Sequence, residues 1–118
     1  MPYVLTRYAE SAFRQIGSDT QILWGREQAA KYLNRLRSGF EQLAQRPDRG
    51  RPIEVPQSTL QFLMFRVEQH YIVYAKLDQH RVAIAAVLHQ RMDVPKRVAE
   101  IPRKSIDEIN RLMGRKTS

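Results

Sequence analysis

The chain has no cysteine, which removes disulfide frameworks, thiolate metal sites and cysteine nucleophiles together. It has no apolar run approaching the roughly 20 residues that a membrane-spanning helix needs. Its opening, MPYVLTRYAE, lacks the basic-then-apolar layout of a signal peptide. These absences lead to the expectation of a soluble, cytoplasmic protein with no membrane role. Neither a Gly-x-Gly-x-x-Gly nor a P-loop sequence occurs, so no known phosphate cradle stands ready for a nucleotide. The three histidines, His70, His80 and His89, have no His-x-x-x-His spacing and no carboxylate cluster beside them, which argues against a metal site. No cofactor is expected.

Positive charge, by contrast, is abundant. Twenty Lys and Arg against twelve Asp and Glu give +8 at pH 7, a balance that suits nucleic acid, an anionic membrane surface or an acidic protein. A length of 118 residues fits one domain with one hydrophobic core.

Tyr3-Val4-Leu5-Thr6 is short, aromatic and β-branched, and reads as a strand ending at a helix N-cap, Thr6. The helix after it carries Tyr8, Ala12, Phe13, Ile16, Leu23 and Trp24 near a 3.6-residue period, with Gly17-Ser18-Asp19 as an expected split or kink and Gly25 as a turn. From Arg26 to Gln45 the residues Ala29, Tyr32, Leu33, Leu36, Phe40, Leu43 and Ala44 form an amphipathic stripe. The opposite face, with Arg26, Lys31, Arg35, Arg37 and Glu41, is most simply a solvated helix surface. Two prolines and a glycine make Arg46 to Pro52 a basic loop.

Three runs rich in β-branched and aromatic residues follow, Leu60–Glu68, Tyr71–Leu77 and Arg81–His89. The links between them are too short for parallel crossovers, so they form an antiparallel meander. The expected fold class is α+β, in the order β-α-α-β-β-β, with a helical hairpin on a small antiparallel sheet. Ser105-Ile106-Asp107-Glu108 has the form of a capping box, and with Gly114 as a stop it predicts a short C-terminal helix striped by Ile106, Ile109 and Leu112-Met113.

Few residues can carry chemistry. Arg66 sits within a strand, and His89 with Arg91 ends the last one. Together they could hold a phosphate and exchange protons in phosphodiester cleavage. The plainer reading makes Arg66 a solvent-facing strand residue and gives His89 and Arg91 to a partner's carboxylates.

The order of three segments resembles the ParE toxins of the ParE/RelE superfamily. They are Tyr3-Val4-Leu5-Thr6 running on to Ala9; Trp24-Gly25-x-x-Gln28-Ala29-x-x-Tyr32 continuing to Pro47 and Gly50-Arg51; and His70-Tyr71-Ile72-Val73-Tyr74 with Val87-Leu88-His89-x-Arg91-Met92-Asp93. The resemblance covers residues 1–93 as a toxin domain and leaves 94–118 as a basic tail. It implies the toxin of a type II toxin–antitoxin pair, held by a cognate acidic antitoxin in a hetero-oligomer, with DNA gyrase as target and DNA touched only indirectly.

RelE-like members of the superfamily instead cleave messenger RNA on the ribosome. By ungapped comparison their cleavage residues fall at Phe62, Met64, Tyr71, Gln90 and near Lys96, and Phe62, Met64 and Gln90 can supply no charge at neutral pH. The resemblance therefore favours a gyrase inhibitor that works by binding, with no catalytic residue, and Arg91, Lys96, Arg97, Arg103 and Lys104 as target-binding residues. The alternative is a ribosome-dependent endoribonuclease using Arg66, His89 and Arg91.

Overall fold

Thr6 joins the first strand to the first helix in the computed structural model, which describes residues 2–114. Strand β1 (Tyr3–Leu5) ends there, and the Thr6 hydroxyl accepts a hydrogen bond from the Ala9 N–H, 3.2 Å away, to cap helix α1 (Arg7–Trp24). The expected break at Gly17-Ser18-Asp19 does not occur. Helix α1 runs through it because Gly17 lies against Leu33: a β-carbon there would sit 2.9 Å from Leu33 Cδ1. The glycine serves close helix packing, and the hydrogen-bond ladder continues.

Gly25, with φ of 91°, turns the chain into helix α2 (Arg26–Gln45). That positive φ is open to glycine and strained for most other residues. The stretch expected to be only a loop forms a 3-10 turn (Pro47–Arg49) and a short strand β2 (Arg51–Ile53). Strands β3 (Phe62–Val67), β4 (His70–Asp78) and β5 (Arg81–His89) follow, then helices α3 (Val94–Val98) and α4 (Arg103–Leu112).

The five strands form one sheet in the order β1-β5-β4-β3-β2. The meander β3-β4-β5 is antiparallel, as its short links require. Strand β1 adds a parallel edge, pairing Tyr3 with Val82 and Leu5 with Ile84. The intervening hairpin and strands supply the long connection that a parallel pair needs. Pro52 occupies the opposite edge strand, a position where its missing N–H is tolerated.

Both faces of the sheet are covered. On one, Ala9 and Phe13 of α1 and Leu36, Phe40 and Leu43 of α2 pack on Leu63, Ile72, Tyr74 and Ile84. On the other, Val98, Ile101, Ile106 and Ile109 pack on Phe62, Met64, Val73, Ala83 and Ala85. Strands buried on both faces lose simple alternation, which accounts for runs such as Val82-Ala83-Ile84-Ala85-Ala86. The C-terminal segment is tied down by Gln57, whose Nε2 donates to the Val98 and Ile101 carbonyls at 2.8 and 3.1 Å.

The capping box is not formed. Helix α4 starts three residues earlier, after Pro102, with no side-chain cap, and Ser105 is buried within its first turn. Glu108 reaches instead to the Arg7 N–H at 3.3 Å, so tertiary packing has taken the side chain that local capping would use. Gly114, with φ of 76°, follows the helix as a stop.

A candidate docking groove

Leu23 and Trp24, expected to face the core, are 72% and 71% exposed. Burial on α1 stops at Phe13, so its second half extends as one wall of a groove of 590 Å³. Trp24, Leu23 and Met92 form the apolar rim. Tyr32, His70 and His89 lie deeper, with Arg35 beside them.

Three elements build the polar part. His70 opens β4 and His89 ends β5, and the antiparallel register sets the two directly opposite each other. Their rings meet edge to face with centroids 5.1 Å apart. Tyr32 comes from α2, its hydroxyl oxygen accepting the Gln69 N–H at 3.2 Å and lying 2.6 Å from His70 Nδ1. With the hydroxyl as donor to that nitrogen, the ring proton is on Nε2. His89 Nδ1 accepts the Arg91 N–H at 3.1 Å and has the same tautomer. Burial, reinforced by the neighbouring His89, lowers the His70 pKa to about 4, so its imidazole is neutral at pH 7. Burial likewise raises the Tyr32 phenol above its ordinary value.

The groove was only partly legible. Tyr32 reads as one more member of the α2 stripe and His70 as a hairpin residue, and nothing local links them. Ile22-Leu23-Trp24 did carry a signal: three successive helical positions sweep roughly 200° and cannot all face one core.

Arg66 and His89 stand on opposite faces of the sheet. Register places Arg66 beside Tyr71 and Leu88, on the face covered by α3 and α4, while His89 lies in the row of Val67 and His70, toward the helical hairpin. Arg66 Nε donates to the Glu68 carbonyl at 2.9 Å across the β3–β4 turn. Arg91 is exposed in the turn after β5. Lys96 and Arg97 are on α3, where Arg97 pairs with Glu100 at 3.0 Å. Arg103 and Lys104 start α4, and Arg103 bonds the Gln57 carbonyl at 3.0 Å and lies 3.5 Å from Asp107. These five cations are thus spread over a turn and two helices.

Phe62 and Met64 are buried against the C-terminal layer, and Gln90 is half-buried, its N–H given to the Gln69 carbonyl. Around Met64 and Tyr71 a second groove of 620 Å³ is walled by Pro52, Ile53, Val94 and Pro95. Among the described residues no three His, Asp or Glu side chains converge to hold a metal ion, and no helix is long and apolar enough to cross a membrane.

The family model described as the ParE toxin of type II toxin–antitoxin systems matches residues 3–94. Toxin ParE of Escherichia coli is 31% identical over 98 residues, covering 83% of this chain and 93% of that one. Toxin ParE1 of Caulobacter vibrioides is 32% identical over 92 residues, covering 78% and 92%. A solved structure titled as the chromosomal ParDE TA system from P. aeruginosa shares the fold, with a TM-score of 0.62 and 22% identity over 75% of this chain and 95% of that one. With the family pattern matched over residues 3–94 and relatives above 30% identity, the chain belongs to the ParE family of toxins of type II toxin–antitoxin systems.

Proposed function

We propose that this toxin acts by binding, inhibiting DNA gyrase without catalysing a reaction of its own, and that an acidic antitoxin neutralises it. The observation that carries the non-catalytic reading is the fate of the positions where RelE-like relatives hold their cleavage chemistry. Phe62 and Met64 carry no charge and lie beneath the C-terminal layer. Arg66 and His89, which could have compensated, are separated by the sheet. Cleaving RNA needs a base, an acid and a cation around one phosphate.

The antitoxin reading is supported by the family, by the +8 charge and by the exposed apolar rim of the groove. An apolar rim of this kind suits an amphipathic helix. In this reading residues 1–93 are the toxin domain and 94–118 a basic segment contributing Lys96, Arg97, Arg103 and Lys104, with Arg91, to the target surface.

The test adds purified protein to gyrase supercoiling reactions and, separately, to translating ribosomes. Slowed supercoiling with accumulation of cleaved DNA, and intact message, is the expected outcome. Charge reversal at Arg91 or at Arg97 weakens the effect and leaves the fold in place. Ribosome-dependent cuts in message that vanish in His89→Ala, with supercoiling untouched, would establish the ribonuclease reading instead.

A further inference from the structure

The groove between the end of α1 and the histidine pair has a polar part as specific as its apolar rim. Each imidazole uses Nδ1 inside the protein, His70 with the Tyr32 hydroxyl and His89 with the Arg91 N–H. With Nδ1 accepting in both rings the proton is on Nε2, and neither Nε2 has a partner among the described residues. Among the described residues the buried side-chain atoms without a hydrogen-bond partner are Gln57 Oε1 and Asp107 Oδ1; neither imidazole Nε2 is one of them, so both are at least partly open to solvent. Arg35 lines the same groove, 3.9 Å from Glu68 in a loose ion pair that leaves its other donors unused. Two imidazole N–H groups and a guanidinium make a donor set whose one acceptor, the Glu68 carboxylate, engages Arg35 alone and only loosely. The carboxylate on the lining, Asp19, is on α1 and is held by the Gln15 amide at 2.8 Å.

We propose that this groove selects its partner through a single carboxylate, received by His70, His89 and Arg35, on an amphipathic helix whose apolar side packs on Leu23, Trp24 and Met92. The proposal rests on the reading of the groove as the antitoxin's docking surface. Charge complementarity argues for an acidic helix, since the chain carries +8 and Asp19, the carboxylate on the lining, is already held by the Gln15 amide. Fixed imidazole donors add direction to this attraction: a charged acceptor seats well only where it meets the N–H groups in line. An uncharged amide of the same shape brings an N–H against other donors and is disfavoured.

The probe is a pair of small isosteres, 4-phenylbutyrate and 4-phenylbutanamide, titrated into the isotope-labelled full chain and followed by NMR. The phenyl ring supplies the apolar contact and the head group the choice. The acid binds about tenfold more tightly than the amide, the scale of one or two hydrogen bonds to a charged acceptor, and moves the Trp24 indole and both imidazole signals. His89→Phe, with circular dichroism confirming the fold, removes most of that preference, and His89→Gln, whose amide supplies an N–H, restores part of it. Equal affinities, or an acid that moves only surface Lys and Arg signals, would overturn the proposal.

The docking reading is tested apart from this, by asking whether the product of the adjacent gene is still captured by Trp24→Ala. Undiminished capture overturns the docking reading and leaves a carboxylate site standing. Lost capture without any acid preference overturns the carboxylate claim alone.

Discussion

Gly39 of α2 lies so close over Val67 of β3 that a β-carbon at residue 39 would sit 2.7 Å from Val67 Cγ2 and 3.0 Å from Cγ1. Valine is stiff about χ1 and has no flexible end to swing away. Gly39→Ala therefore forces the helix off the sheet, at a cost of about 1–3 kcal/mol for overpacking, less the roughly 1 kcal/mol that alanine recovers as a helix former. A lower urea midpoint with an unchanged slope is the expected result. An equal or higher midpoint would show that the two elements separate freely.

Tyr74 is fully buried, yet its hydroxyl donates to the Pro47 carbonyl and accepts the Gly50 N–H, both at 2.8 Å. This one oxygen holds the turn after α2 against the sheet. Tyr74→Phe leaves the aromatic packing intact but strands a carbonyl and an N–H, costing about 1–3 kcal/mol. Hydrogen exchange should accelerate at Gly50 before it does in the β4–β5 ladder.

Acid should destabilise the protein through His70. Its pKa is about 4 when folded against 6.5 when free, so between those values the unfolded chain binds a proton that the folded chain refuses. Stability from this group is intact above pH 6.5 and falls as pH drops toward 4, by at most about 3 kcal/mol. In His70→Asn that part of the pH dependence disappears. Urea midpoints for both proteins across pH 4 to 7 give the comparison, and parallel curves would show that His70 titrates normally.

Ile109 and Ile106, in the last helix, are 0% and 1% exposed. Both belong to the apolar cluster that includes Met64, Val73 and Ala85 of the sheet. Ile109→Ala should cost about 2–5 kcal/mol, the range for emptying a core site, and lower the single unfolding transition of the whole chain. A mutation felt only as local fraying, with the global transition unmoved, would make the C-terminal helices a loosely attached layer.

Much of the architecture is written locally. The apolar period of Arg26 to Gln45 matches α2 residue for residue, Arg81 to His89 matches β5, and Thr6 caps α1, because each depends on neighbours within a turn or a pleat. The short links after β3 and β4 likewise leave no choice but an antiparallel meander. What failed locally is instructive. Gly17 reads as a breaker and Ser105 as a cap, yet Leu33 and Arg7 override both from distant parts of the chain.

Composition and short-range pattern carry the α+β class, the order of the main elements, the positive charge and the family resemblance. Long-range packing is needed to lay β1 parallel beside β5, to bring the last two helices over the far face of the sheet, and to leave Trp24 exposed. It also placed His70 opposite His89 and under Tyr32 while sending Arg66 to the other face. These placements follow from strand register, which has a period of two: a shift of one residue would exchange the faces, and contacts distant in sequence set that register.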